Sequence, residues 1–172
     1  AMIGRPRRGL KTASHRELHL LRAFCRQCSV GEMVRWLYDV YESLPEDAAV
    51  SIYMEANFMQ DTILDEFQRE GDARGYQLPI MPDKRKKPDK FARVEAISPL
   101  WERGYFFYNE KLKEDPDMRA GIDQTLAFEQ GSRAHDDFPD ACEGAIYKLQ
   151  KQTREASFTP RLGVRRPPKN AW

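Results

Sequence analysis

The chain predicts an α/β fold, on three observations. Short apolar runs of strand length, at residues 17–24, 48–54 and 76–81, alternate with longer stretches in which apolar residues recur at helical spacing. A hydrophobic fraction of 41% with 11% aromatics, spread over 172 residues, suits one domain with a sizeable core and argues against disorder. Acidic residues stand where such folds place their chemistry: Glu55 directly follows an apolar run, and Asp136, Asp137 and Asp140 lie at the mouth of a late helix.

Each element has a local reason. Residues 1–4 have strand character and enter a basic loop, 5–11, an abrupt start that predicts further chain upstream in the natural protein. The run 17–24, with Leu18, Leu20, Leu21 and Phe24, is short enough for a strand buried on both faces, so the two runs predict a hairpin. Ser29 followed by Glu32 is a capping box, and Val30, Met33, Val34, Leu37, Val40, Tyr41 and Leu44 then keep helical spacing up to Pro45. After the run 48–54 and Glu55, a second helical pattern passes through Met59, Ile63, Leu64 and Phe67 and closes at Gly71 and Gly75. A strand at 76–81 leads to a basic stretch and a helix carrying Phe91, Val94 and Ile97. Residues 104–108 are strand-like, 117–130 helical with Gly131 as terminator, and Ala141, Ala145 and Leu149 continue the helix opened by the acidic motif.

Charge and cysteine narrow the classes. With 28 basic and 27 acidic residues the net charge is +1, so the distribution of charge, and not its sum, must point to partners. Lys84, Arg85, Lys86, Lys87, Lys90 and Arg93 put six cations into ten residues, a patch suited to sequence-independent phosphate contact or to a solvated face. The aromatics Trp101 and 105–108 are expected to pack on helices in preference to stacking on bases. No apolar run approaches the ~20 residues of a membrane span, and no signal-peptide core opens the chain, so a soluble, intracellular protein is expected. Three cysteines do not make a disulfide framework; Cys25 and Cys28 have zinc-like spacing and His15 and His19 lie near, but ordinary thiols are the expectation. Residues 153–172, with Arg154, Arg161, Arg165, Arg166, Lys169 and several prolines, predict a basic disordered tail after a domain at 1–152.

The acidic motif has two readings. In a helix, Asp137 and Asp140, three apart, and Asp136 and Asp140, four apart, crowd their carboxylates on one face. The helix dipole offsets part of that repulsion and a hard divalent cation, Mg²⁺ or Mn²⁺, far more. The alternative is a cap, with Asp137 accepting amide donors and Pro139 tolerated in the first turn.

Taken together, 54–57 (Met-Glu-Ala-Asn), 88–99 (Pro-Asp-Lys-Phe-Ala-Arg-Val-Glu-Ala-Ile-Ser-Pro), 102–107 (Glu-Arg-Gly-Tyr-Phe-Phe) and 135–141 (His-Asp-Asp-Phe-Pro-Asp-Ala) resemble the C-terminal nuclease domain of tailed-phage and prophage terminase large subunits, over roughly residues 1–150. The resemblance implies a ribonuclease H-like mixed sheet flanked by helices. It implies an endonuclease that cuts concatemeric double-stranded DNA with two Mg²⁺ or Mn²⁺ ions about 4 Å apart. Glu55 then matches the second metal-binding acid; Asp136, Asp137 and Asp140 contain the third; His135 would orient a carboxylate or the scissile phosphate. The implied partners are DNA, the terminase ATPase domain, the small terminase subunit and the portal, met in the host cytoplasm during phage assembly. The family's first acid lies on a strand ahead of the hairpin, and no residue before Glu17 is acidic; no G-x-x-x-x-G-K-[ST] motif is present either. The expectation is therefore a nuclease core lacking its first strand. A non-enzymatic DNA-binding or docking module, or a resolvase- or transposase-like nuclease, would use the same elements.

Overall fold

A computed structural model describes residues 1–4, 17–132 and 134–157, the last six as helix backbone only. The basic loop 5–11 and the tail beyond Ser157 lie outside the described residues, although the last helix runs past the expected domain end at 152. The fold is mixed α/β. Strand β1 (Met2–Gly4) pairs antiparallel with β2 (Leu18–Arg22), which is the expected hairpin. Helix α1 (Val30–Glu42) follows, with the Ser29 hydroxyl accepting from the Glu32 amide as the capping box requires. Strand β3 (Ile52–Glu55), helix α2 (Asp61–Arg74) and strand β4 (Ile80–Asp83) form a parallel crossover unit. Gly75 ends α2 with φ +81°, a left-handed cap that a side chain would strain.

Two short helices, α3 (Lys90–Glu95) and α4 (Pro99–Glu102), lead to β5 (Phe106–Tyr108), which pairs parallel with β2. Helices α5 (Pro116–Leu126) and α6 (Asp137–Ser157) complete the order. The expected boundaries shift for local reasons. Pairing in β3 begins only at Ile52, because β4 offers four partners, Ile80 to Asp83. Strand β4 starts later than residue 76 because Tyr76 and Leu78 are drawn into packing against α1 and α2; its Pro82, which has no N–H to donate, suits an edge. Helix α5 stops at Leu126, and Phe128 leaves it to stack on Phe91 at 5.7 Å.

The strands form two separate sheets, β1-β2-β5 and β3-β4, and the core is likewise divided. Leu18, Leu20, Phe106, Met118, Phe138, Cys142 and Ile146 build one half, between the first sheet and α4, α5 and α6. Val34, Tyr38, Ile63, Phe67 and Leu78 build the other, where α1 and α2 cover Ile52, Met54 and Ile80 of the second sheet. Helix α6 contributes to the first core and touches the second sheet through polar groups. It turns Phe138, Cys142, Ile146 and Leu149, spaced four, four and three apart, to the first core. Its opposite stripe, Asp140, Glu143, Tyr147 and Lys148, meets the end of β4 and the chain that follows it. The aromatic run packs largely as expected: Trp101 stacks on Phe106 and donates to the Tyr108 hydroxyl, while Phe107 remains partly exposed against His19. Among the described residues no helix is long and apolar enough to cross a membrane.

Candidate functional site

Strand parity sets the first half of the site. Ile52 and Met54 point into the second core, so Tyr53 and Glu55, one residue out of phase, point to the other face, where the Lys148 ammonium lies 4.3 Å from the Tyr53 ring. Glu55 is paired in register with Asp83 at the ends of two parallel strands, so two carboxylates stand side by side at the carboxyl edge of that sheet. The start of α6 sets the second half. Phe138 is buried against Gly121 of α5, where an added Cβ would meet its ring at 2.6 Å, and the Phe138 amide donates to Gln124 Oε1. Those two contacts fix where the first turn of α6 lies, and with it Asp136 and Asp140. The basic stretch is held from the other end by Asp89, whose carboxylate caps α3 by accepting from the Ala92 amide.

Between these halves runs a chain of alternating charges. Lys87 donates to Glu55, and its ammonium stands 3.9 Å from Asp140 Oδ2. Arg93 lies 2.7 Å from Asp140 Oδ1 and donates to Glu143 Oε2 at 2.5 Å. The short separation from Asp140 Oδ1 is a charge contact without hydrogen-bond alignment, and among the described residues that buried oxygen has no hydrogen-bond partner. Arg85 grips Glu143 with both arms of its guanidinium, at 2.8 and 2.9 Å, and lies over the Tyr147 ring. Asp83 accepts from the Arg85 amide and from Lys148. Burial works to raise the Asp83 carboxyl, but Lys148 and the Arg85 amide and guanidinium hold it below the usual carboxylate range. For Arg85 burial works the other way, and Glu143 overcomes it and raises the guanidinium. Beside this chain, Lys90 donates to Asp136 at 2.6 Å.

The sequence-named residues divide accordingly. Glu55 and Asp140 come together on one cation, the Lys87 ammonium. Asp136 is turned to Lys90, its carbonyl accepting the Asp140 amide as an N-cap carbonyl does, while Asp137 and His135 are exposed. The cap reading of the motif thus falls to Asp136 and Gln124, and among the described residues Asp137 makes no capping bond. Among the described residues no three His, Cys, Asp or Glu side chains converge as metal ligands, which includes Cys25 and Cys28. The six-cation patch is not one surface. Arg85, Lys87, Lys90 and Arg93 turn to carboxylates, and Lys84 and Lys86 are exposed. Sequence reasoning missed Asp83 and Glu143. Asp83 stands two residues beyond the apolar run 76–81, and Glu143 lies one helical step beyond Asp140; these were the signals available. In comparison with known proteins, no family model, no curated protein and no solved structure matches the chain.

Proposed function

We propose that this chain is a divalent-metal-dependent DNA endonuclease domain of the ribonuclease H-like, terminase type, acting on double-stranded DNA in the host cytoplasm with an ATPase domain, a small terminase subunit and a portal as partners. One observation carries the reading: Glu55 from the end of β3 and Asp140 from the first turn of α6, 85 positions apart in sequence, share a single cation. Two carboxylates suit one hydrated Mg²⁺ or Mn²⁺, an ion that keeps several waters and takes the rest of its ligands from phosphate oxygens. The donor set present fits one ion and not two. When bound, such an ion supplies charge stabilisation at the phosphorus and activation of a water. The chain's own part is to hold Glu55 on a strand end and Asp140 on a helix start, with Arg93 fixing the far side of Asp140.

The division of the sheet supports the further proposal of an absent first strand. Among the described residues β1 and β3, like β4 and β5, are paired on one side only, and α6 packs on β1 and pairs with β4. A strand between β1 and β3 would join the sheets and bring a third acid beside Glu55. The test is plasmid nicking. The 172-residue chain should give at most feeble nicking, favoured by Mn²⁺, which tolerates an imperfect ligand set. A longer form carrying an acidic strand ahead of residue 1 should cut well, and Glu55→Ala or Asp140→Ala in that form should abolish cutting. Robust Mg²⁺-dependent cleavage by the short chain would overturn the assignment. A second reading, a DNA-binding module without catalysis, is favoured by the ion pairs that neutralise Glu55, Asp136 and Asp140. It predicts no cutting by either form.

A further inference from the structure

The two cations that touch Asp140 are built differently. Arg93 is fixed: its side chain is 8% exposed, Nε donates to the Pro88 carbonyl, and Nη1 is held by both Asp140 and Glu143. Lys87 is not. It sits in the irregular segment between β4 and α3, its ion-pair partners among the described residues are Glu55 and Asp140, and the Glu55 side chain is 56% exposed. An ammonium on a four-carbon stem leaves such a position at the cost of one partly exposed ion pair, whereas a guanidinium bound on several sides does not. Charge balance points the same way. Glu55, Asp140, Glu143 and Asp83 face Lys87, Arg93, Arg85 and Lys148, four negative against four positive, so a divalent cation entering between Glu55 and Asp140 leaves an excess of positive charge that withdrawal of the Lys87 ammonium halves.

We propose that Lys87 is the resident cation of this site. It holds Glu55 and Asp140 together while no divalent ion is bound, yields the position when one binds, and then offers its charge to a DNA phosphate. This rests on the metal-site reading above and adds a coupling to it: metal occupancy strengthens DNA binding by freeing one lysine, with the two ligands favouring each other reciprocally.

Calorimetric titration of the full chain with Mn²⁺ tests it, comparing wild type, Lys87→Met, Lys87→Arg and Glu55→Ala, each checked for folding by circular dichroism. Removing the competing ammonium should tighten Mn²⁺ binding roughly fivefold, the equivalent of one partly exposed ion pair. Lys87→Arg, which retains the charge, should stay near wild type, and Glu55→Ala should lose binding. Lys87→Gln replaces the methionine variant if that fails to fold. Duplex-DNA binding supplies a second readout: saturating Mn²⁺ should steepen the wild-type salt dependence by about 0.9 in slope, one extra phosphate contact, and leave Lys87→Met unchanged. Wild-type Mn²⁺ binding that Lys87→Met leaves equal or weaker overturns the role of Lys87 while sparing the metal site. Absence of Mn²⁺ binding in the wild type overturns both.

Discussion

Glu143→Gln is the sharpest perturbation of the charged seam. The Glu143 carboxylate, 7% exposed, accepts three charge-assisted hydrogen bonds from two guanidiniums that are themselves 11% and 8% exposed. Glutamine keeps the shape, removes the charge and turns an amide NH₂ toward a donor. Breaking a buried pair by deleting one partner typically costs about 3–5 kcal/mol, because the charge left behind is uncompensated. Here Arg93 retains Asp140 and Arg85 retains Asp83, so the lower end, about 3 kcal/mol, is expected. For a domain of this size that lowers Tm by roughly 6–12 °C. Urea unfolding followed by circular dichroism measures it, with an unchanged m-value expected. Replacing Arg85, Arg93 and Glu143 together by methionine or leucine should recover most of the loss, since a well-packed apolar substitute often matches a buried ion pair. A cost below about 0.5 kcal/mol, the range of ordinary surface changes, would show that the network does not form and that α6 is held to β4 by other means.

Gly121→Ala should destabilise by about 1–3 kcal/mol, because the new methyl meets the buried Phe138 ring and the first turn of α6 must move; Gly104→Ala, a strained but open position, serves as comparison in the same unfolding assay. Acid should weaken the fold through Asp83. Its folded pKa lies below the unfolded value of about 3.9, so its contribution is present in full above that value and is lost as pH falls through the folded pKa. Asp83→Asn should flatten that acid limb of a stability-against-pH curve. Lys84→Ala with Lys86→Ala should lower the salt slope of duplex binding by about 1.8, whereas Lys90→Ala should change it little without Mn²⁺, because Lys90 is turned to Asp136.

Much of the fold was legible because its signals are local. The hairpin follows from two apolar runs, α1 from a capping box, and the place of Glu55 from the apolar run 48–54 that it ends. What was not legible depends on partners distant in sequence. A count of charges finds the density of residues 84–93, but Lys87 meets Glu55 32 positions away and Arg85 meets Glu143 58 away. Asp83 was missed because an apolar run ends at Met81, whereas the edge strand continues through Pro82 to Asp83, which sits opposite Glu55. Glu143 was missed because helical spacing was followed through Ala141 and Ala145, whereas the deeply buried stripe runs through Cys142 and Ile146 and leaves Glu143 facing Arg85 and Arg93. The division into two sheets had no counterpart in the local pattern, since register between strands is a tertiary choice.

The central claim is that Glu55 and Asp140 form one cation site across β3 and α6. Anomalous scattering from a crystal soaked in Mn²⁺ tests it most directly. The account predicts a peak between the two carboxylates, at Mn–O distances of roughly 2.0–2.4 Å as for a hard divalent ion, with the Lys87 side chain turned away. A map with no peak there, and with the Lys87–Glu55 pair intact at saturating Mn²⁺, would contradict it.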